Sequence, residues 1–172
     1  MKLTYLVTGL LIASSAMIFA ADLNSDDTDF MKKAAKGGMA EVELGRLAVQ
    51  KGASQQVKDF GTRMIKDHSK ADRELMALAA SKGVELPKSV SLSEDASMVH
   101  LKMLSGKSFD EAYVKMMVDD HKDDVAAFQK EADGAQDTDV KRFAQKTLPT
   151  LQSHLDKIQA IQSGMSGAGG SR

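Results

Sequence analysis

The sequence predicts an all-α domain built from four long helices packed as a bundle. Three observations carry that prediction. Four segments place apolar residues at three- and four-residue spacing, the repeat of an amphipathic helix. The 172 residues include two prolines and no tryptophan, aromatic residues make up 5%, and few stretches are rich in β-branched side chains. Capping residues and glycine-containing breaks fall where such helices would start and stop.

A leader precedes the helices. Lys2 is followed by "LTYLVTGLLIASSAMIFAA", uncharged from Leu3 to Ala21. The run is roughly long enough to cross a bilayer. It sits at the extreme N-terminus, however, ends in small residues and is followed by acidic "DLNSDD" instead of a basic flank. It reads as a secretory signal peptide over residues 1–20, cut after Ala20, although Ile18 is an imperfect residue at the −3 position. A retained anchor is the alternative. After cleavage no transmembrane segment remains, and the protein is periplasmic or secreted. With no cysteine, neither a lipid-anchoring site nor a disulfide is available, so packing or a bound ion must hold an exported fold.

Residues 21–27 read as a linker, residues 28–163 as the bundle and residues 164–172 as a disordered tail. Thr28 can cap the first helix, which runs to about Lys51 with Gly52 after its end. Its apolar face holds Phe30, Ala34, Gly37, Ala40, Leu44, Leu47 and Ala48. Ser54 can cap the second helix, closed by Gly83, with Phe60, Met64, Ile65, Leu75 and Leu78 inward. A connection containing Pro87 and a Ser91–Glu94 capping-box pattern leads to a short helix ending before Gly106. Ser108 and Glu111 can open the third long helix, to about Asp133, with Phe109, Tyr113, Met116, Met117, Val125 and Phe128 in its core stripe. Asp137 or Thr138 starts the fourth, with Val140, Phe143, Leu148, Leu151, Leu155, Ile158 and Ile161 inward. Pro149 must kink that helix or leave a carbonyl one turn earlier unbonded.

The connection of roughly 25 residues is long enough to cross the bundle, which makes the second and third long helices parallel, as in ferritin-like folds. An up-down-up-down bundle with an elaborate loop is the alternative.

Composition narrows the function. Net charge is −1, from 23 basic and 24 acidic residues without a basic cluster, so no nucleic-acid partner is expected. A homo-oligomer remains open.

Three of the four histidines carry the candidate chemistry. "MIKDH" and "MVDDH" end in His68 and His121, each on the apolar stripe of its helix. His154 lies between Leu151 and Leu155 on the fourth helix, and Glu41 lies on or beside the inward face of the first. His68 and His121 each stand about 20 Å from their hairpin turns, and Glu41 and His154 fall within about a turn of that level. One donor per long helix can therefore converge near mid-bundle. Imidazoles with one carboxylate suit a divalent ion such as Zn²⁺, Fe²⁺ or Mn²⁺. Asp67 and Asp120 precede two of the histidines and can hold a ring tautomer. Because neighbours on a helix point about 100° apart, each aspartate serves a histidine on another helix, or a surface lysine, more readily than its own. The competing account is three core histidines hydrogen-bonded within the protein, in a metal-free interaction module. Met64 and Met117 each precede a histidine by four, a thioether–imidazole pairing suited to Cu(I), although methionine also fills helical cores. His100, on the short helix, has no such partners. No nucleophile constellation is present, and four protein donors on one ion would suit holding it better than catalysis.

"DFMKKAAKGGMAEVELGRLAVQKGASQQVKDFGTRMIKDH", "SFDEAYVKMMVDDHKDDVAAFQKEA" and "VKRFAQKTLPTLQSHL" together cover nearly all of the bundle. Through them the chain resembles a family of exported bacterial proteins of unknown function in the ferritin-like superfamily, often labelled predicted outer membrane proteins. The resemblance implies a four-helix bundle with a short extra helix in the crossover, and brings no activity with it. No strand pattern of a transmembrane barrel accompanies that label. Di-iron bundles of the wider superfamily carry Glu-x-x-His on two helices. Here Ile65, Val118 and Leu151 stand three residues before the histidines. None can bind a metal, so a di-iron centre is not expected. A single-ion site of Glu41, His68, His121 and His154 passes the same test, whereas Glu131 lies too far along its helix to join it.

Overall fold

The computed structural model describes residues 23–90 and 96–168. Its elements are α1 (Ser25–Lys51), α2 (Gln55–Ser81), α3 (Ala96–Met103), α4 (Gly106–Gly134) and α5 (Thr138–Ala168). The expected signal peptide and the Ser91–Glu94 capping box lie outside the described residues. Among those residues no helix is long and apolar enough to cross a membrane.

Helix starts differ from expectation in two places. α1 begins before Thr28: Asn24 accepts from the Asp27 amide, while the Thr28 hydroxyl donates back to the Asn24 carbonyl. Asparagine is the stronger cap, and Asp26 and Asp27 in the first turn complement the helix dipole. The last three residues of the expected linker, 25–27, are thus helical. α4 begins at Gly106, whose φ of 60° turns the chain into the helix, so Ser108 lies inside the first turn. Ser54 does cap α2, accepting from the Val57 amide, and Asp137 caps α5, accepting from Asp139 and Val140. Gly52 ends α1 at an ordinary φ of −56°; it is needed because a Cβ there would lie 2.6 Å from the Ala48 carbonyl. α5 passes through Pro149 and continues to Ala168, further than the tail assignment allowed, with Met165 packing against the core.

Contacts at the helix ends fix the topology. The Asp110 carboxylate, at the start of α4, accepts from the Ala53 and Ser54 amides in the α1–α2 turn. At the other end of the bundle, Lys82 closes α2 by reaching Asp137 and Asp139 at the start of α5. Asp27, at the start of α1, accepts from the Gln136 and Asp137 amides in the α4–α5 turn. α2 and α4 therefore run parallel, and the connection containing α3 crosses the length of the bundle. The crossover bundle is the observed fold.

The core is divided. One apolar cluster, around Phe60, Met64, Phe109, Tyr113, Met117 and Ile158, fills the end nearest the α1–α2 turn. A second, around Phe30, Leu75, Phe128, Phe143 and Leu151, fills the opposite end. The buried face of α1 also includes Met31, Ala35, Gly38 and Gly45, which the sequence stripe passed over. Between the clusters lies a layer of polar side chains.

Candidate metal centre

That layer holds Glu41 from α1, His68 from α2, His121 from α4 and His154 from α5. The four are 4%, 6%, 0% and 0% exposed. These four expected donors lie at mid-bundle because each interrupts an apolar stripe at the level where the two core clusters meet. The rings approach closely: centroids are 6.0 Å apart for His68–His121, 5.3 Å for His68–His154 and 5.4 Å for His121–His154. One ring nitrogen from each histidine lies within 4.8 Å of the other two.

Hydrogen bonding assigns two tautomers. His121 Nδ1 lies 2.9 Å from the Met117 carbonyl, which can only accept, so Nδ1 carries the proton and Nε2 the lone pair. His154 Nε2 lies 2.9 Å from Asp67 Oδ2 and donates to it, leaving the lone pair on Nδ1. Both lone-pair nitrogens, and His68 Nε2, are buried without a hydrogen-bond partner. Glu41 stands beside the triad. Its Oε2 is 2.8 Å from His68 Nε2 and its Oε1 is 3.4 Å from His121 Nδ1. Both approaches are out of line for a hydrogen bond, so the two carboxylate oxygens are also unpartnered.

Burial sets the charge states. It lowers the His68 and His121 imidazoles and carries His154 down to about 4, although Asp67 opposes that shift. Burial likewise lifts Glu41 to about 7, against the pull of His121. The histidines are neutral near pH 7, the form in which imidazole binds metals.

Asp67 is placed as a supporting acceptor for another helix's histidine. Burial alone would raise its carboxyl, but His154 and Arg63 outweigh it and hold it below the usual range. Arg63 lies 3.3 Å from Asp67 and also donates to Ser153, tying α2 to α5 around His154. Asp120 is half-buried, lines a cleft with His100, Leu101 and Asp119, and is close enough to Glu41 for its charge to be felt there. Met64 and Met117 are fully buried in the apolar cluster beneath the triad. His100 is exposed. Glu131 lies at the far end of the bundle beside Asp27.

Two acids in this region were not anticipated. Asp72 and Asp124 line a small cavity with Glu41 and His68. Burial raises Asp72 to about 6 and Asp124 to about 7. Helical spacing could have revealed them, since Asp72 follows His68 by four residues and Asp124 follows His121 by three.

Comparison with solved structures gives the same fold at low identity. A DUF305 fragment from Deinococcus radiodurans superposes with a TM-score of 0.73 at 13% identity, covering 83% of this chain and 99% of that one. CopM in its Cu(I)-bound form gives 0.68 at 13% identity, over 81% and 96% of the two chains. Its Cu(II)-bound form gives 0.68 at 12%, over 81% and 97%. No curated protein matches the chain. The profile of the family described as domain of unknown function DUF4142 matches residues 13–161. That match spans most of the sequence and every residue of the histidine layer, and the chain belongs to the DUF4142 family.

Proposed function

We propose that the protein is an exported bundle that holds one transition-metal ion on His68, His121 and His154, with Glu41 as the adjacent carboxylate, and that it serves in metal handling. One observation carries this reading. Three imidazole nitrogens from three helices converge within 4.8 Å of one another, and one nitrogen of each ring is buried without a hydrogen-bond partner, that of His68 facing Glu41 Oε2 at 2.8 Å. A satisfied set of core histidines would have both ring nitrogens engaged, because an unpaired buried polar atom costs about 1–3 kcal/mol. Here the far nitrogens of His121 and His154 are tied to a carbonyl and a carboxylate, as metal-binding histidines require.

The donor set suits Zn²⁺, Cu²⁺ and Fe²⁺ more than Mn²⁺, which prefers oxygen ligands. Copper gains support from the CopM structures, which share the fold and hold copper. The bound ion supplies a positive charge that pairs the otherwise unpartnered donors. Asp67 keeps His154 in its binding tautomer, the Met117 carbonyl does the same for His121, and Phe60 shields the layer from one end. The leader-like run at residues 3–21 supports export.

Elemental analysis of protein recovered from the periplasm tests the proposal. The expected result is one ion per chain, lost in the His68→Ala, His121→Ala double variant. Absence of metal, together with a melting temperature unchanged by chelator, would support the metal-free module instead.

A further inference from the structure

The ion must reach a triad buried at mid-bundle, and the surroundings of that triad are not alike. Towards the α1–α2 turn, Phe60 covers it, with its ring 6.1 Å from His121 and 6.2 Å from His154. Met64, Tyr113 and Met117 pack behind that ring with no exposed surface. On the α2–α5 side, Asp67, Arg63 and Ser153 are bonded across the gap to His154.

The opposite side is open in a specific way. A cavity of about 20 Å³ lies one turn beyond the triad, bordered by Gly37, Gly38, Glu41, His68, Asp72 and Asp124 on one side and by apolar side chains of the second core cluster on the other. That is room for about one water molecule or one bare cation. The Asp72 carboxylate occupies the place of a side chain at Gly38, where a Cβ would lie 2.1 Å from Asp72 Oδ1. At Gly37, by contrast, a Cβ would meet nothing within 4 Å. His68 and Glu41 form its inner wall; His68 Nε2 and both Glu41 oxygens are buried without a hydrogen bond, Oε2 lying 2.8 Å from that nitrogen. Acids from three helices and two adjacent glycines thus flank one small space that ends on the unsatisfied donors.

We propose that this cavity is the cation's way in, with Asp72 and Asp124 drawing the ion from solvent and Glu41 passing it to the triad. The inference rests on the metal-binding reading above and adds its route. A cation losing its water shell needs replacement oxygens along the way, and carboxylates one helical turn outside the imidazoles supply them. Asp72 and Asp124 are then rate-determining groups and not ligands of the seated ion.

Stopped-flow transfer of Zn²⁺ from a chromophoric chelator to metal-free protein tests this directly. The variants are Asp72→Asn with Asp124→Asn, and separately Gly37→Leu, whose side chain would narrow the mouth. Each is expected to slow uptake at least tenfold while stoichiometry and equilibrium affinity change less than threefold. Asp119→Asn, which removes an exposed charge elsewhere on α4, should leave the rate unaltered. Wild-type uptake rates in both variants would overturn the route. So would an affinity loss equal to the rate loss in the aspartate variant, since that result makes the two acids ligands. Failure of the unaltered protein to take up Zn²⁺, and Cu²⁺ in a parallel run, would overturn the metal-binding reading as well, so the two failures are distinguishable.

Discussion

The α1–α2 and α4–α5 hairpins use the same devices at the same register and differ in how closely their helices approach. Asp27 opens the first and Asp110 the second, and each reaches across the bundle to hold the other hairpin's turn. The same offset relates the caps Ser54 and Asp137, then Val57 and Val140, then Phe60 and Phe143. Inside the hairpins the match ends. Gly45 and Gly61 bring α1 and α2 together so tightly that a Cβ on either would lie 2.7 Å from the other's carbonyl. Their counterparts at the same offset are Phe128 and Ala144, and Phe128 packs on Phe143 at 6.1 Å. One hairpin is joined by backbone approach, the other by aromatic packing. The difference extends to the polar layer, where His121 of the second hairpin corresponds to Gly38 of the first. Glu41 and His68 come from one hairpin and His121 and His154 from the other, so a seated ion would join two halves of unlike construction.

The largest test of the contrast is Gly61→Ala. It should destabilise the protein by about 3 kcal/mol, because a backbone and not a movable side chain stands in the way. Ala144→Gly, its counterpart, should cost about 1 kcal/mol from helix propensity. Urea midpoints measure both, and equal losses would remove the distinction. Next is the metal as a link between hairpins. Ion at a hundredfold excess over Kd should stabilise the wild type by about 2.7 kcal/mol and leave the His68→Ala, His121→Ala variant unaffected, as read by melting with and without chelator.

The end contacts sharpen the comparison further. Asp110→Ala strands two amides that are bonded at 2.9 and 2.8 Å, and a loss of about 2 kcal/mol is expected. Asp27→Ala should cost less, since one of its two bonds is 3.3 Å long and Glu131 lies beside it. The smallest effect concerns that neighbour. Burial, with Asp27 adding to it, lifts the Glu131 carboxyl from 4.5 to about 7. A carboxyl raised in the folded state binds its proton more tightly there than in the unfolded chain. Its contribution is complete below pH 4.5 and is lost as pH rises to about 7. Glu131→Gln should flatten that decline and raise stability above pH 7 without effect at pH 4, in melts across the range. An unchanged pH profile would show that the end contact is not electrostatically strained.

Much of the fold was legible because helices declare themselves locally. Ser54, Gly83 and Asp137 marked boundaries through their own backbone preferences, and the stripe from Val140 to Ile161 was almost wholly buried as its spacing implied. The errors arose where two local signals competed, as at Asn24 against Thr28, or where a small residue was buried by a close neighbour, as at Gly45. The candidate site was legible as four donors at one level, since depth follows from rise per residue. Asp72 and Asp124 were legible only as acids on the same helix faces as His68 and His121; that Asp72 folds back over a glycine of the next helix depends on the approach of α1 to α2.

The sequence by itself determined the helices and their order, the polar level within the apolar stripes and the departure from a two-metal carboxylate pattern. These follow from periodicity, capping and the identity of residues three positions before each histidine. Only the tertiary structure decided which ring nitrogens lack a hydrogen bond, that Asp67 serves His154, that α2 and α4 run parallel, and that Phe60 covers one side of the triad while a small cavity bordered by Asp72, Asp124 and the second apolar cluster lies on the other. Those properties depend on distances between helices, and a hydrogen-bond partner or a cavity exists only when two separate segments are brought within a few ångströms.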